Sequence, residues 1–443
     1  MKLPRPSWRR PFAAALTGLA LVTTGLGAAP AQSADIVTPG NFTGYGFDQC
    51  TAPSQQAMDA WLNSSPFWAV GIYISGASRG CLSQPNLTPT WVDKQLRNGW
   101  RLLPITLGPQ ASCTTRERYL RQERINPDPY NKYAKARAQG RREATTAVGE
   151  ASRLGIIAGS TLWYDIEAFD IRSTRCRESA LSFLHAWTNK LHKLGYVSGV
   201  YSSAASGMKM LDDVRALRPG AYRLPDQVWI ADWNGRADLY SPYIRNDGWM
   251  PHARVHQYRG DHVERHGGVS IPIDSNYMSL GRGSVAPAKK LHCNDVDLDL
   301  PAFRLVKPGT ARTGQVRAMQ CRLLEKKMPH VAVTGVHDAD SVRGVKAWES
   351  SRGLLVNGVM SRANWMMLLT DGRTPVLKVG STGGAVLRLQ RTLNAALALR
   401  VPVTGRFDGT TTSTVRSYQS QVGLPVTGVV AANTWAKLKA GAR

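Results

Sequence analysis

Apolar runs with the two-residue alternation of β-strands recur along the first 280 residues of the chain. They predict strands over residues 44–48, 68–75, 101–107, 161–167, 196–202, 227–233, 253–258 and 269–274. Apolar residues at helical spacing separate the early runs and predict helices over residues 54–63, 89–98, 130–154 and 177–194. Eight strands alternating with helices in roughly 245 residues predict an α/β fold, a TIM-like (β/α) barrel over residues 35–280.

The last three predicted strands lie too close together in the sequence for full crossover helices. A connection between parallel strands needs about a dozen residues or more, usually with a helix. We therefore expect the barrel to be irregular in its last strands. An open, doubly wound sheet is the competing architecture, because it shows the same alternation of strands and helices.

An internal repeat occupies the C-terminal third of the chain. Val333-Thr334-Gly335 recurs as Val403-Thr404-Gly405, and Trp365 recurs as Trp435, each 70 residues later. Each copy has three helical stretches joined by V-T-G and G-L-x-V-x-G turns, which predicts a small all-α three-helix domain. We place the two repeats at residues 304–371 and 375–440, after a linker at residues 281–303.

The repeat signature V-T-G-x-F-D…V-x-x-Y/F-Q…G-L-x-x-x-G-x-V…T-W resembles the peptidoglycan-binding domain of wall-lytic enzymes. The second copy fits almost position for position, whereas the first has His337 in place of Phe and Glu349 in place of Gln. The resemblance implies that peptidoglycan is a binding partner. Two small helical domains without a ligand are the alternative interpretation.

The first 34 residues predict an export signal. Basic residues among the first ten precede an apolar or small stretch, and Ala29-Pro30-Ala31 provides a cleavage site. Arg9-Arg10 resembles a twin-arginine signal with Trp8 where Ser or Thr is usual, and an ordinary Sec signal is the alternative. No other run approaches the length of a membrane span. We therefore expect a secreted, extracellular and cell-wall-associated protein whose mature form has no transmembrane segment.

The full sequence contains six cysteines and has a formal net charge of +25. Both features indicate the environment in which the mature protein acts. An even number of cysteines in an exported chain, without a C-x-x-C pair, favours disulfide bonds over zinc. Four precede residue 180 and two lie near residue 300, which predicts two bonds plus one and leaves the pairing of the first four open. The positive charge suits anionic cell-wall polymers rather than nucleic acid. Basic segments at residues 116–124 and 132–142 are either solvated helix faces or the contact with such a polymer.

Candidate chemistry lies in the predicted strand at residues 161–167, which ends in two carboxylates. Alternation places Trp163, Asp165 and Glu167 on one strand face. Hydrolysis of a glycosidic bond needs one carboxyl held protonated and a second carboxyl nearby, and an aromatic plane stacks on sugars. The alternative is structural: the two acids cap the following helix or pair with Arg172 or Arg175.

Further polar residues lie at the predicted ends of other strands. Asp48 ends the first strand, Tyr201 the fifth, Gln257-Tyr258 the seventh and Asp274 the eighth, and Asp232 lies near the end of the sixth. Because active sites of such barrels lie at the carboxyl ends of the strands, these side chains are predicted to converge on one site.

The motifs that carry these residues resemble two families of related fold. F-D-Q-C, I-Y-I-S-G, W-Y-D-I-E-A-F-D, G-V-Y-S-S, W-I-A-D-W, H-Q-Y and I-D-S-N, in this order, look like the glycoside-hydrolase-like domain of actinobacterial exported proteins (DUF1906). Their order is similar, more distantly, to the family 25 muramidases. The muramidase resemblance implies Glu167 as the general acid, with Asp165, Asp48 and Asp274 as further catalytic carboxyls. It implies as substrate-binding residues Trp163, Tyr201, Asp232, Trp233, Gln257 and Tyr258.

No other group of residues in the sequence predicts a metal site or a cofactor site. Four histidines at residues 252–266 have suggestive spacing, but His256 lies in a predicted strand and the rest of the window reads as a loop. The sequence therefore supports a monomeric, secreted glycoside hydrolase of the lysozyme or muramidase type, held on peptidoglycan by its C-terminal repeats. A wall-binding protein whose barrel keeps a sugar cleft without turnover is the alternative.

Overall fold

The computed structural model describes residues 36–285, 292–293, 296–310, 313–397 and 399–443. The predicted export signal lies outside the described residues. The described residues form one compact unit. Within the described residues, no helix is both long and apolar enough to cross a membrane.

Eight strands close into a barrel in the order in which they occur in the chain. Neighbouring strands pair in parallel from β1 to β7, whereas β8 is antiparallel to both β7 and β1. The closed sheet confirms the predicted α/β barrel and excludes the open doubly wound sheet. The strands are β1 (Phe42–Asp48), β2 (Phe67–Ser75), β3 (Arg101–Thr106), β4 (Thr161–Asp165), β5 (Val197–Ser203), β6 (Gln227–Ala231), β7 (Ala253–His266) and β8 (Val269–Leu280).

The irregular part of the barrel is a long hairpin. β7 and β8 are joined by Gly267-Gly268, both at positive φ, and a two-residue turn of this kind can join only antiparallel strands. The direction of β8 corrects the prediction that Asp274 ends its strand. Asp274 lies in the middle of β8, opposite Asp48 at the end of β1, and so reaches the same end of the barrel from the reverse direction.

Helices cover the outside of the barrel along the first six strands. Between β6 and the end of β8, all of which the structure describes, the chain forms no helix, and α1 packs against the far end of the β7–β8 hairpin through Trp61. The helix over residues 209–217 follows a π-helical turn at Ala204–Met208 and was not predicted. The helices are α1 (Gln55–Ser64), α2 (Pro89–Arg97), α3 (Glu117–Leu120), α4 (Tyr130–Arg153), α5 (Thr174–Lys193) and α6 (Lys209–Leu217).

Alternation along the strands divides the apolar core into two parts. Leu162, Tyr164 and Ile166 pack outward against the helices, whereas Trp163 packs inside the barrel, edge to face with Trp229. The interior is so close-packed that a Cβ on Gly199 would lie 2.4 Å from Cε3 of Trp163. The predicted alternation along β4, with Trp163 on the opposite face from Leu162 and Tyr164, is therefore correct.

Three disulfides connect the loops. Cys50 bonds Cys81, Cys113 bonds Cys176, and Cys293 bonds Cys321, which confirms the predicted two plus one distribution. The first two bonds lie around the carboxyl end of the barrel: Cys50 follows β1, and Cys113 ties the loop after β3 to α5. These bonds limit the movement of the loops that border the site described below.

Each C-terminal repeat contains three helices, and the two repeats share one pattern of hydrogen bonds. In the first repeat, the buried Gln320 side chain accepts from the amides of Thr334 and Gly335 and donates to Val336 O. Gln390 makes the same bonds in the second repeat. The helices are α7 (Thr313–Glu325), α8 (Ala339–Ser351), α9 (Arg362–Thr370), α10 (Gly384–Ala396), α11 (Gly409–Gln421) and α12 (Ala432–Lys439).

Glu349 and His337, the two residues of the first repeat that depart from the signature, have hydrogen-bond partners that compensate for the exchange. Glu349 accepts from the amides of Asn357 and Gly358 and from the Asn364 side chain, whereas Gln419 of the second repeat donates to Thr434 at the position of Asn364. His337 is buried and bonds Gly358 O. The departures from the signature therefore preserve the turn they stabilise.

The second repeat lies against the barrel through Lys378. Its Nζ donates to the carbonyls of Leu62 and Ser65 and lies 4.4 Å and 5.0 Å from the ring centroids of Trp68 and Trp100. These residues flank the starts of β2 and β3, so the contact is at the end of the barrel opposite the carboxyl ends of the strands.

Candidate active site at the barrel mouth

The carboxyl ends of the parallel strands surround a cleft of about 980 Å³. Its lining includes carboxyls from β1, from β8 and from the segment after β4, together with phenol and guanidinium groups. The polar lining residues used below are Asp48, Tyr73, Arg118, Tyr119, Glu167 and Asp274.

Asp48 is a buried carboxyl at the end of β1. It accepts hydrogen bonds from Asn276 Nδ2 at 2.6 Å and from Gln257 Nε2 at 3.2 Å. Burial, and next the charge of Asp274, raise the pKa of Asp48 to about 8, although the two amide hydrogen bonds favour its anion. Asp48 is therefore a carboxyl that holds a proton at neutral pH.

Asp165 ends β4 and is 1% exposed. Tyr73 OH donates to its Oδ2 at 3.3 Å, and no partner among the described residues bonds its buried Oδ1. Burial, and next the charge of Glu167, raise the pKa of Asp165 well above its ordinary value. A buried carboxyl with an unsatisfied oxygen is costly, which is the pattern found where function rather than stability selects the residue.

Glu167 lies two residues beyond the end of β4 and lines the cleft. Gln110 holds this segment, because its Oε1 accepts from Glu167 N and its Nε2 donates to Asp165 O. Arg116 lies 3.2 Å from Glu167 Oε2, and the Tyr119 hydroxyl also bonds this carboxyl. Burial raises the pKa of Glu167 despite these two partners. Of the two acids at this strand end, Glu167 is the one that meets the cleft.

Asp274 completes the carboxyl group from the antiparallel strand. Its Oδ1 accepts from the amide of Asp261 at 2.7 Å, and its Oδ2 accepts from Gln257 Nε2 at 3.3 Å. Burial raises its pKa, against the backbone hydrogen bond. Burial thus raises the pKa values of all four predicted carboxyls, a pattern that is frequent at functional sites.

Gln257 joins two other predicted residues to the carboxyls. Its Oε1 accepts from Tyr201 OH at 3.0 Å and from Trp233 Nε1 at 2.9 Å, while its Nε2 faces Asp48 and Asp274. Trp233 is 56% exposed, and Gly260 packs against its ring. A glycine is needed there because a Cβ would lie 2.1 Å from the indole. Trp233 is therefore an open aromatic plane fixed beside the polar network.

None of the six predicted sugar-binding residues lines the cleft, and three of them also lie away from the network around the Gln257 side chain. Trp163 is fully buried, because a residue two positions before Asp165 on the same face lies about 7 Å deeper in the barrel. The Asp232 carboxylate accepts from Ser241 Oγ in the loop after β6. Tyr258 follows Gln257 and so faces outward, where it bonds Ser275.

Several residues at the site were not singled out by sequence reasoning. Tyr73 and Asn276 lie on the inner faces of β2 and β8, and Asn276 shares the face of Asp274, so strand alternation could have identified both. Gln110, Arg116 and Tyr119 come from the long β3–α4 connection, whose path no sequence pattern indicates. Arg116 belongs to the basic segment at residues 116–124, for which the sequence left open a solvated helix face or a contact with an anionic polymer.

The histidine-rich window is explained by hydrogen bonds within the hairpin and its neighbouring loop. Both ring nitrogens of the buried His256 bond backbone carbonyls, those of Asp232 and Asp238. Glu264 lies between His262 and His266, which bond its two carboxylate oxygens at 3.1 Å and 2.8 Å. Glu264 and the two histidines tie the hairpin together beside the cleft.

Family comparisons agree with this architecture. Residues 59–278 match the Rv2525c-like, glycoside hydrolase-like domain, and residues 382–438 match a peptidoglycan binding domain. The first match includes Asp165, Glu167 and Asp274 and begins after Asp48. A search of curated proteins found no match to the chain.

Three solved structures share a region of similar fold. An uncharacterized B. stearothermophilus protein is 19% identical over 53% of this chain and 95% of its own, with a TM-score of 0.33. The Mycobacterium tuberculosis Tat-secreted protein Rv2525c, in complex with HEPES, is 14% identical over 54% and 97%, with a TM-score of 0.35. The modular autolysin LytC from Streptococcus pneumoniae is 11% identical over 53% and 46%, with a TM-score of 0.33. At these values the likenesses do not inform function.

Proposed function

Because this chain contains an Rv2525c-like glycoside hydrolase-like domain followed by a peptidoglycan-binding domain, we propose that it is an exported cell-wall glycoside hydrolase. Its substrate is peptidoglycan or a related N-acetylated β-1,4 glycan, and its C-terminal repeats hold it on that polymer. The observation that carries the proposal is the group of four carboxyls with raised pKa values at one barrel mouth, beside an open cleft.

Glu167 is the general acid of the proposed reaction. It lines the cleft, and burial raises its pKa, so it can donate a proton to the leaving glycosidic oxygen as the C1–O bond breaks. The carbonyl oxygen of the substrate's own N-acetyl group attacks C1 in this scheme, and water later opens the resulting ring. Glu167, deprotonated after the first step, accepts the proton of that water.

The other carboxyls position substrate and protons. Asp165 lies behind Glu167, and burial raises its pKa well above the ordinary value. Asp48 and Asp274, joined by Gln257, face the cleft from β1 and β8 and can hydrogen-bond sugar hydroxyls. Trp233 is the aromatic plane for a sugar ring.

A second candidate is a wall-binding protein whose barrel retains a sugar cleft without turnover. The Arg116 guanidinium, 3.2 Å from Glu167 Oε2, favours it, because a cation at this distance stabilises the anion of the residue that must donate a proton. Both candidates bind the wall, but only the hydrolase produces new reducing ends.

The test is digestion of purified peptidoglycan by the mature protein, with the products reduced and identified by mass spectrometry. The wild-type protein and Glu117→Gln, which changes an exposed carboxyl at the start of α3, are expected to release the same muropeptides. Glu167→Gln is expected to release none. Equal release by Glu167→Gln contradicts the assigned acid, and wall binding without any products supports the second candidate.

A further inference from the structure

A second cavity lies where the second repeat meets the outer face of the barrel. Its volume is about 230 Å³. The barrel contributes residues of β1 and β8, and the repeat contributes the loops before α10 and α11. The lining residues that matter are Thr43, Tyr45, Tyr277, Ser381, Arg406 and Asp408.

This junction cavity is separate from the cleft. Tyr45 and Tyr277 pair across β1 and β8, as do Asp48 and Asp274 three residues away along each strand. An odd separation along a strand reverses the side-chain direction, so the two tyrosines face outward where the carboxyls face the mouth. They lie on the part of the barrel wall that meets the second repeat.

The two tyrosines form an aromatic surface of the kind that packs against sugar rings. Their ring centroids are 5.3 Å apart and the planes meet at 67°. Both side chains are half-buried, so each ring is held by the protein and retains an accessible part. Aromatic groups held in this way offer an apolar face and a polar hydroxyl together, which matches the C–H face and hydroxyl edge of a pyranose.

Arg406 adds a positive charge to the same cavity. It is exposed, acts electrostatically on Tyr277, and makes no ion pair with any residue the structure describes. The nearby Asp408 carboxylate accepts from Thr411 N and Thr411 Oγ1 at the start of α11. The guanidinium therefore retains donors for a ligand, and its planar fork suits a carboxylate.

The walls of the cavity are held in place by the contact between repeat and barrel. Ser284 Oγ donates to Gly380 O, and Lys378 is anchored between Trp68 and Trp100. Gly380 is in close contact with β1, because a Cβ at this position would lie 2.5 Å from Thr43 O. Because the walls of the site are already fixed, the protein loses little conformational entropy when a ligand binds.

We propose that the junction cavity is a second saccharide subsite, which takes one carboxylate-bearing amino sugar unit of a peptidoglycan strand. The sugar ring packs on Tyr45 and Tyr277, and its lactyl or peptide carboxylate pairs with Arg406. The first repeat has Val336 at the position of Arg406, so the subsite belongs to the second repeat and the barrel together. This assignment rests on the wall-binding part of the proposed function and is independent of hydrolysis.

The test is calorimetric titration of the full mature chain carrying Glu167→Gln with a GlcNAc–MurNAc–peptide muropeptide, so that cleavage does not interfere. Two binding events are expected, one in the cleft and one at the junction. Arg406→Val and Tyr277→Ala are each expected to weaken the junction event by roughly tenfold or more. Tyr277→Phe, which keeps the ring, is expected to retain it. Chitotetraose, which lacks carboxylates, is expected to bind the junction more weakly than the muropeptide.

Arg416→Gln is the matched control, because Arg416 is an exposed arginine of the same repeat outside the cavity. Retention of the junction event in Arg416→Gln together with its loss in Arg406→Val supports the proposal. A single binding event before any change at the junction overturns it, as does equal loss in the two arginine variants. Loss of cleavage in a separate digestion assay would concern the cleft alone.

Discussion

The two ends of the barrel both bury ionisable groups, but they treat them differently. At the mouth, Asp48, Glu167 and Asp274 line the cleft, and the Oδ1 atom of the buried Asp165 has no partner among the described residues. At the opposite end, the buried Lys378 amino group donates to two carbonyls and is covered by two indole rings. Burial raises the pKa of the acids and lowers the pKa of Lys378 well below its ordinary value.

The difference separates a functional site from a structural contact. The Lys378 amino group donates to two buried carbonyls and joins two parts of the fold, whereas the mouth retains buried carboxyls at a cost in stability. A barrel that gained nothing from its mouth would be expected to fill it with apolar side chains, as it fills the layer of Trp163 and Trp229 below.

Glu167→Gln and Asp165→Asn are expected to separate activity from stability. On the proposed function, Glu167→Gln reduces the release of reducing ends by about 10²–10⁴-fold, the usual contribution of a general acid. Neither change should lower the free energy of unfolding, because each removes a carboxyl whose ionisation is penalised by burial. Reducing-end assays and denaturant unfolding measure the two effects. A strongly destabilised Asp165→Asn would show that the carboxyl is structural.

Asp48 is expected to make the protein less stable as the pH rises. Its folded pKa of about 8 exceeds the ordinary value of 3.8, so between these values the unfolded chain releases a proton that the folded protein keeps. For this group, stability is therefore highest below about pH 4 and falls by a few kcal/mol as the pH rises to 8. Denaturant unfolding at both pH values should show the loss, and Asp48→Asn should reduce it. An unchanged dependence in that variant would exclude Asp48 as its source.

Lys378→Ala is expected to weaken the contact at the opposite end. It leaves the carbonyls of Leu62 and Ser65 without their donor and removes the cation from two indoles, which costs about 2–3 kcal/mol. Lys307 occupies the equivalent turn of the first repeat and is exposed, so Lys307→Ala is the matched control with little effect. Thermal unfolding measures both. Equal melting temperatures of Lys378→Ala and Lys307→Ala would contradict the expectation that only the second repeat depends on this lysine for its contact with the barrel.

Arg116→Gln is expected to have the smallest effect. Arg116 lowers the pKa of Glu167, so its removal raises that pKa further and keeps Glu167 protonated to a higher pH. On the proposed function, the alkaline limit of activity moves upward, while activity at the optimum changes by less than about tenfold. A pH profile of reducing-end release measures the shift. A downward shift would mean that Arg116 acts on another group.

Much of the architecture was predictable because it depends on local patterns. Two-residue alternation identified all eight strands and placed Asp165 on the inner face of β4, and the repeated V-T-G turns located both helical units. The carboxyls of the mouth were predictable for the same reason, since the ends of parallel strands meet at one end of a barrel. Alternation assigns a face, however, and not a depth, so it also selected Trp163, which lies a layer below the cleft.

The sequence by itself determined the barrel, the repeat and the four carboxyls, because periodicity and strand ends are written in neighbouring residues. The tertiary structure alone decided the reversed direction of β8, the ion pair of Arg116 with Glu167 and the burial of Lys378 under the second repeat. The direction of β8 follows from a turn of two glycines, and the other two join residues far apart in the chain. Such contacts depend on the path of loops and the docking of domains, which no local pattern encodes.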